Sequence, residues 1–392
     1  MKIVIAPDSF KESLSAKQAA EAIYTGFHDI FPEAVYVKLP IADGGEGTTE
    51  AMVDATAGTY HNLNVTGPMG KPVVATWGHL GNADTAIIEV AAAAGLHLVA
   101  KADRNPWLAS SQGVGEIIRA VLDQGIRHIL IGLGGSATND GGAGMLAALG
   151  ARFYDQNGQE LPPTPSGLVN LYCLDLGGLD SRLSDTRIEV ACDVTNPLLG
   201  PQGASYTFGR QKGASDEVIA DFDYALGKFA AAMSQAVGKD LSSCAGAGAA
   251  GGIGYALISA LNSTLHSTLH SGIDLVLDSV EIDRHLDHAD LVLTGEGCID
   301  NQTAQGKAIS GITRRARKRQ VPVIGLAGMI DYSVVEEAGL HAGFSLTPGV
   351  ISLNDALTNA GRNLSEVARN VARVWRLSSK YTQSLPKDLP IT

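Results

Sequence analysis

A short apolar run that ends in an acidic polar loop, followed by a helix, opens this chain and recurs near its end. Residues 2–6 run into Pro7-Asp8-Ser9. Ser15 then precedes residues 16–27, which are apolar at helical spacing, so Ser15 is placed as an N-cap. A second strand over 35–39 leads into Ala42-Asp43-Gly44-Gly45-Glu46-Gly47 and a helix over 48–57. From Leu291 the rhythm returns: strand 291–294, polar loop 295–305, helix 308–319, strands 321–327 and 344–347, and helices through 352–377. This alternation predicts an α/β protein with a doubly wound parallel sheet. Such sheets bind ligands where loops leave the carboxyl ends of the strands.

The middle of the chain is more mixed. Residues 63–66 and 73–78 read as antiparallel strands, and 87–94 is ambiguous between strand and helix. A strand over 128–132 opens into Gly134-Gly135-Ser136-Ala137-Thr138-Asn139-Asp140-Gly141-Gly142, and a strand over 187–192 ends at Asp193. A long helix covers 216–237, and a Gly-rich loop, 245–254, precedes another helix. The matching ends predict one discontinuous domain, 1–66 plus 285–378, with a mixed α/β domain inserted at 67–284 and a loose tail at 379–392. A sequential split near residue 160 is the alternative.

Composition narrows the function classes. The 392 residues are 45% hydrophobic and 18% charged, enough apolar content for real cores. A net charge of −12 is opposite to what a nucleic-acid binder needs. The single basic run, Arg314 to Arg319, sits at a predicted helix end, where it favours the helix dipole. No stretch approaches the length of a membrane span. The four scattered cysteines form neither a disulfide framework nor a zinc motif, so a cytoplasmic protein is expected. Ser263-Thr264-Leu265-His266 repeats at once as Ser267 to His270, read as a duplication in a loop or helix end.

The chemistry must lie in the loops. None of the Gly-Lys pairs completes a P-loop. Gly132-Leu133-Gly134 through Ala137 follows a strand and matches a relaxed dinucleotide fingerprint, with Asp155 as an acidic ribose ligand. Gly246-Ala247-Gly248-Ala249-Ala250-Gly251 has the strict spacing but follows no strand, and tight packing explains it equally well. These matches leave open a nicotinamide-dependent oxidoreductase acting on a small hydroxy acid. The stronger pattern is carboxylates recurring in loops at strand ends, several of them beside Gly: Asp8, Asp43 and Glu46, Asp140, Asp193, and Glu296 with Asp300. Phosphoryl transfer needs a phosphate cradle, carboxylates on Mg²⁺, a base for the hydroxyl and a cation. Lys11, Lys212 and Lys307 are the cations beside these loops.

Read together, the loops are recognisable. Ala6-Pro7-Asp8-Ser9-Phe10-Lys11, Ala42 to Thr48, Gly134 to Gly142, Ala191-Cys192-Asp193 to Pro197, Gln211-Lys212-Gly213, Gly246 to Gly252, and Thr294-Gly295-Glu296-Gly297 through Lys307 occur in this order. This set resembles the bacterial glycerate kinases of the glyoxylate and sugar-acid pathways, from Lys2 to about Trp375. The resemblance implies transfer of the ATP γ-phosphoryl group to D-glycerate, at the 2-hydroxyl. It also implies two α/β domains, one of them Rossmann-like, with the active site in the cleft between them. It depends on ATP and Mg²⁺, with D-glycerate as the small-molecule partner and neither nucleic acid nor membrane, and a homo-oligomer is compatible with it. Cys298 stands where the family usually has Arg, and Arg210 where it usually has Pro. A non-catalytic sugar-acid-binding relative is the reading if Cys298 disables the site.

The roles follow as expectations. Asp193 is the general base and Lys307 faces the transferring phosphoryl group. Glu296 and Asp300 hold Mg²⁺. Gly134, Gly135, Ser136, Asn139, Asp140 and Lys212 cradle the nucleotide. Asp8, Ser9, Lys11, Asp43, Gly45 and Glu46 bind the substrate, with Lys11 pairing its carboxylate. The nucleotide and substrate sets are interchangeable at this level.

Overall fold

The computed structural model describes residues 1–45, 47–261, 272–304 and 308–384. Glu46, Lys307 and the Ser263 to His270 duplication lie outside the described residues. Contacts divide the chain into two units, Met1–Asp43 with Val276–Thr392, and Gly44–Leu275. In chain order the described strands are β1 (Lys2–Ile5), β2 (Val35–Lys38), β3 (Thr59–Thr66), β4 (Pro72–His79), β5 (Ala86–Glu89) and β6 (His128–Gly132). They continue with β7 (Arg152–Tyr154), β8 (Cys173–Asp175), β9 (Arg187–Ala191), β10 (Leu291–Ile299), β11 (Val323–Ile330) and β12 (Ala342–Ser345).

The unit built from both chain ends holds a five-stranded parallel sheet in the order β12-β11-β10-β1-β2. Ile3, Val4 and Ile5 are all fully buried, which is why β1 reads as a continuous apolar run and does not alternate. The chain moves from β1 to β2 on one side, then returns as β10 on the other. The strand order therefore reverses between β1 and β10. Ser15 starts the helix Ala16–His28 with a reciprocal capping box to Gln18. That helix buries Ile23 and Phe27 against Leu364 and Ala368 of the helix Ala360–Ser384. Arg369 clamps Asp29 at 2.9 and 2.7 Å across the same seam. The long helix runs to Ser384, into the segment the sequence reads as a loose tail.

β10 is longer than its sequence pattern. Past the end of β1 it keeps pairing with β11, as Glu296↔Ala327, Cys298↔Met329 and Ile299↔Ile330. Glu296 therefore sits in a strand, where a polar loop over 295–305 is expected. The basic run is paired within its own unit: Arg315 reaches Asp278 and Asp283, and Arg319 reaches Asp283 and Asp287.

The second unit holds a mixed sheet, β3-β4-β5-β6-β9, antiparallel from β3 to β5 and parallel from β5 to β9. β3 pairs with β4 along its whole length, so residues 44–66 belong here, where the sequence places the first boundary at residue 66. The ambiguous run 87–94 is both things: β5 ends at Glu89 and a helix, Val90–Ala94, follows at once. β7 pairs only with β8, in a separate antiparallel pair. The strict Gly246 to Gly251 spacing makes a kink, with positive φ at Ala250, Gly251 and Gly252. A Cβ at Gly251 would run into the Thr138 carbonyl, and Gly251 O accepts Gly141 N–H at 2.9 Å. Backbone-to-backbone packing of two loops is what these glycines permit. No described helix is long and apolar enough to cross a membrane.

Candidate active site

In the terminal-segment unit, the carboxyl ends of β1, β10, β11 and β12 border a cavity of about 770 Å³. Asp8 follows β1, and its Oδ1 accepts the Ser9 N–H at 2.6 Å. Burial first, then the charge of Asp43, push its carboxyl up to about 7, with Glu296 adding to the rise and Ser9 opposing it. Glu296, 8% exposed, accepts the Thr303 hydroxyl at 2.6 Å. Asp300 Oδ1 accepts Gln302 N–H at 2.8 Å, and the Cys298 thiol donates to its Oδ2 at 3.5 Å. Lys11, Ser9 and Asp43 border the same space. One cavity thus unites four of the expected substrate residues with both expected metal residues.

This crowding has a measurable consequence. Asp8 holds its proton to about pH 7 when folded and to about 3.8 otherwise. Between those values the folded state binds more protons, so stability falls as pH rises through that window. A shift of this size is at most about 4 kcal/mol, and partial exposure of the side chain reduces it to about 2. Asp8→Asn is expected to raise the melting temperature at pH 8, with the gain vanishing below about pH 4. Thermal melts of both proteins across this range check it.

In the second unit the loop after β6 is held from inside. Ser136, Thr138, Asn139, Asp140 and Lys212 are each at most 4% exposed. Lys212 Nζ donates to Ser136 Oγ at 3.1 Å and to Thr138 O at 2.7 Å. Burial lowers its pKa to about 7, against the nearby charge of Asp140. Asp140 accepts from Ser111 N–H and Oγ–H, each at 2.7 Å, from Gly142 N–H at 3.0 Å and from Gly144 N–H at 3.1 Å. Burial still pushes its carboxyl upward. Asn139 Nδ2 donates to Ser205 Oγ at 3.0 Å. The buried side chains expected to cradle a nucleotide therefore shape the loop from beneath, and Gly134 and Gly135 are what reaches its surface. Those two border a cavity of about 260 Å³ with Gly45, Glu89 and His97.

The same geometry opposes the dinucleotide reading. Asp140 occupies the N–H groups at the start of the helix Ala143–Ala148, where a pyrophosphate would sit. Asp155 lies beyond a strand outside the main sheet, and its Oδ1 closes a turn by accepting from Asn157 and Gln159 N–H.

Asp193 is exposed just after β9, and its Oδ1 accepts the N–H of Gly272 at 2.9 Å. Gly272 opens the helix Gly272–Ser279, so Asp193 does more capping than its neighbours in sequence indicate. Arg210 pairs with Asp216 at 2.5 Å on the surface of its own unit.

A family model described as the glycerate kinase family matches residues 3–376. The chain belongs to the glycerate kinase family. Glycerate kinase of Bacillus subtilis (strain 168) is 49% identical over 96% of this chain and 98% of its own length. Glycerate 2-kinase of Escherichia coli (strain K12) is 48% identical over 95% and 97%. A crystal structure assigned to glycerate kinase 2 of Salmonella typhimurium LT2 superposes with a TM-score of 0.89 at 50% identity, covering 97% of this chain and 99% of that one. The family is one of phosphotransferases with an alcohol group as acceptor.

As a member of the glycerate kinase family the chain calls for a nucleotide, and its acidic cavity fits the Mg²⁺ expected with it. Asp8, Asp43 and Glu296 are hard oxygen donors, and the last two are close enough to raise the proton affinity of Asp8. Among the described residues no three such groups form a ready-made cage. Mg²⁺ commonly takes one or two carboxylates and completes its shell with water and substrate phosphates. Sequence reasoning missed Thr303, which orients Glu296 and also accepts the Asp300 N–H at 3.1 Å. The Asp-x-x-Thr spacing was its signal. Ser111, locked to Asp140, carried none.

Proposed function

We propose that this glycerate kinase family member transfers the ATP γ-phosphoryl group to the 2-hydroxyl of D-glycerate, giving 2-phosphoglycerate and ADP, in cytoplasmic organic-acid catabolism of the glyoxylate or glucarate type. The observation that carries it is the acidic floor of the 770 Å³ cavity, Asp8, Asp43 and Glu296, at the carboxyl ends of a doubly wound sheet. Likeness to a relative named as a 2-kinase supports the regiochemistry.

In this reading Mg²⁺, when bound, neutralises charge on the phosphates. Asp8 and Glu296 would hold it, with Asp300 in the same cavity. Thr303 fixes the Glu296 carboxylate, so the donor oxygen is oriented before substrate arrives. Asp193 accepts the proton of the glycerate hydroxyl at its carboxylate, while Gly272 holds the other end of that group in place. Lys307 offsets charge developing on the transferring phosphoryl group. Lys212 keeps the Gly134–Gly135 turn in shape through Ser136 and the Thr138 carbonyl.

A coupled assay for ADP release with ATP, Mg²⁺ and D-glycerate, with glycerate omitted as control, tests the kinase. Phosphorus NMR of the product separates 2- from 3-phosphoglycerate. ADP release indifferent to glycerate would remove the reading, and 3-phosphoglycerate would remove its regiochemistry.

A further inference from the structure

The large cavity of the terminal-segment unit is built for something bigger and less polar than a three-carbon acid. Its size, about 770 Å³, falls in the roughly 300–1,000 Å³ range of sites for cofactor-sized ligands. The 260 Å³ cavity beside Gly134 and Gly135 lies below that range. The large cavity also spans the point where strand order reverses, between β1 and β10, the place where doubly wound sheets take their ligands.

Its lining combines two chemistries. Asp8, Asp43, Glu296 and Lys11 are charged. Met329, Tyr332, Ile351 and Leu353 are large and mostly apolar. Met329 is 61% exposed, Tyr332 65% and Leu353 74%. Single exposed apolar side chains need no explanation. Several large ones around the rim of one cavity do, because exposed apolar surface gathered in one place marks a binding site. Glycerate has no apolar face to offer them. A purine does, and ring and thioether side chains pack well on one.

The rim is also held in position. The Ser13 hydroxyl donates to Leu357 O at 2.9 Å, tying the helix Leu353–Thr358 to the loop after β1. Ser352 caps that helix by accepting the Asp355 N–H at 3.1 Å. Thr347 and Ser345, in the same lining, donate to Gly328 O at 2.9 and 3.2 Å, which fixes both hydroxyls in place. Asn363, on the helix Ala360–Ser384, adds a side-chain amide with both donor and acceptor for a base edge.

We propose that this cavity holds the nucleotide, with its base against Met329, Tyr332 and Leu353 and its phosphates toward Lys11, Asp8 and Glu296. The assignment rests on the kinase reading and exchanges two sets of roles. Asp8, Ser9 and Lys11 serve the phosphates, and the acid falls to the loop of Gly45, Gly134 and Gly135.

The test measures each ligand separately. Tyr332→Ala and Leu353→Asp change exposed side chains, so folding is preserved, as circular dichroism will confirm. Titration of ATP with Mg²⁺ into the full chain, without glycerate, is expected to show a Kd raised at least roughly tenfold in each variant. The KM for ATP should follow, with the KM for glycerate within about twofold of wild type. A raised KM for glycerate with unchanged ATP binding would give the cavity to the acid and overturn the proposal. Unchanged constants for both ligands would overturn it too, as would a wild-type chain that binds no ATP. ATP binding sensitive to these variants, in a chain without glycerate-dependent turnover, would uphold the nucleotide site and remove the glycerate reading instead.

Discussion

Asp193→Asn is expected to lower kcat by roughly 10²- to 10⁴-fold, the usual worth of a positioned general base. The substitution is well matched to the question because the structure gives Asp193 two separable properties. Its Oδ1 accepts the Gly272 N–H at the start of the helix Gly272–Ser279, a contact an asparagine oxygen can keep. Its carboxylate charge and basicity, which asparagine lacks, are what the proposed base step would use. Stability should therefore change by less than about 1 kcal/mol, the worth of an ordinary hydrogen bond. Both Michaelis constants should stay within about twofold. Asp193→Ala removes both properties, so its kcat should match that of the asparagine variant while its melting temperature falls further. The gap between the two variants in melting temperature measures the cap, and their shared gap from wild type in kcat measures the base. Steady-state kinetics and thermal melts of the three proteins decide it. A kcat within about threefold of wild type in Asp193→Asn would leave Asp193 as a structural cap alone.

The Gly272 contact also shows where the sequence stops being readable. β1 is legible because both its faces are buried, which writes an unbroken apolar run. The Ser15 cap is legible because a capping box is a local pattern. Repetition of strand, acidic loop and helix at both ends is enough to single out Asp8, Asp43 and Glu296, and the structure gathers them in one cavity, with Glu296 inside β10. Gly272, whose N–H Asp193 accepts, is by contrast 79 positions away, and no local signal can announce that contact. Asp140 and Asp8 look alike in sequence, each a carboxylate in the loop that follows an apolar strand. One is sealed beneath a helix start and the other borders a cavity, and only tertiary packing separates them. The extension of β10 past β1 is likewise a pairing effect, since Thr294 to Cys298 has no strand-like composition of its own. Met329 near the end of β11, Tyr332 just after it and Leu353 at the start of the helix Leu353–Thr358 carried no local functional signal. Their apolar character disguised them as ordinary surface or core.

The sealed carboxylate makes the second large prediction. Asp140→Ala is expected to destabilise the second unit by about 4 kcal/mol. Four donors converge on this side chain: Ser111 N–H and Oγ–H, and the N–H groups of Gly142 and Gly144. The site is fully buried, so no solvent replaces the lost acceptor. Each orphaned buried donor costs about 1–3 kcal/mol. The Ser111 hydroxyl can turn away, and it already donates nothing to Met145, whose N–H it accepts at 3.0 Å. Three backbone N–H groups cannot turn. They belong to the starts of two helices, Gln112–Asp123 and Ala143–Ala148, so the loss loosens both at once. Asp140→Asn should cost less, about 2 kcal/mol. Its single oxygen can take the seat of Oδ2, which serves Ser111 and Gly144, and only Gly142 N–H then faces an amide donor. At roughly 2–4 °C per kcal/mol for a unit of this size, the alanine variant should melt about 8–16 °C below wild type and the asparagine variant about half as far. Differential scanning calorimetry reads both. Removing the carboxylate also removes the charge that favours the ammonium of Lys212, so that lysine should titrate lower still in both variants. An alanine variant that melts within about 2 °C of wild type would mean that water enters and satisfies the donors. In that case Asp140 would not be what holds the Gly134 to Gly142 loop in shape.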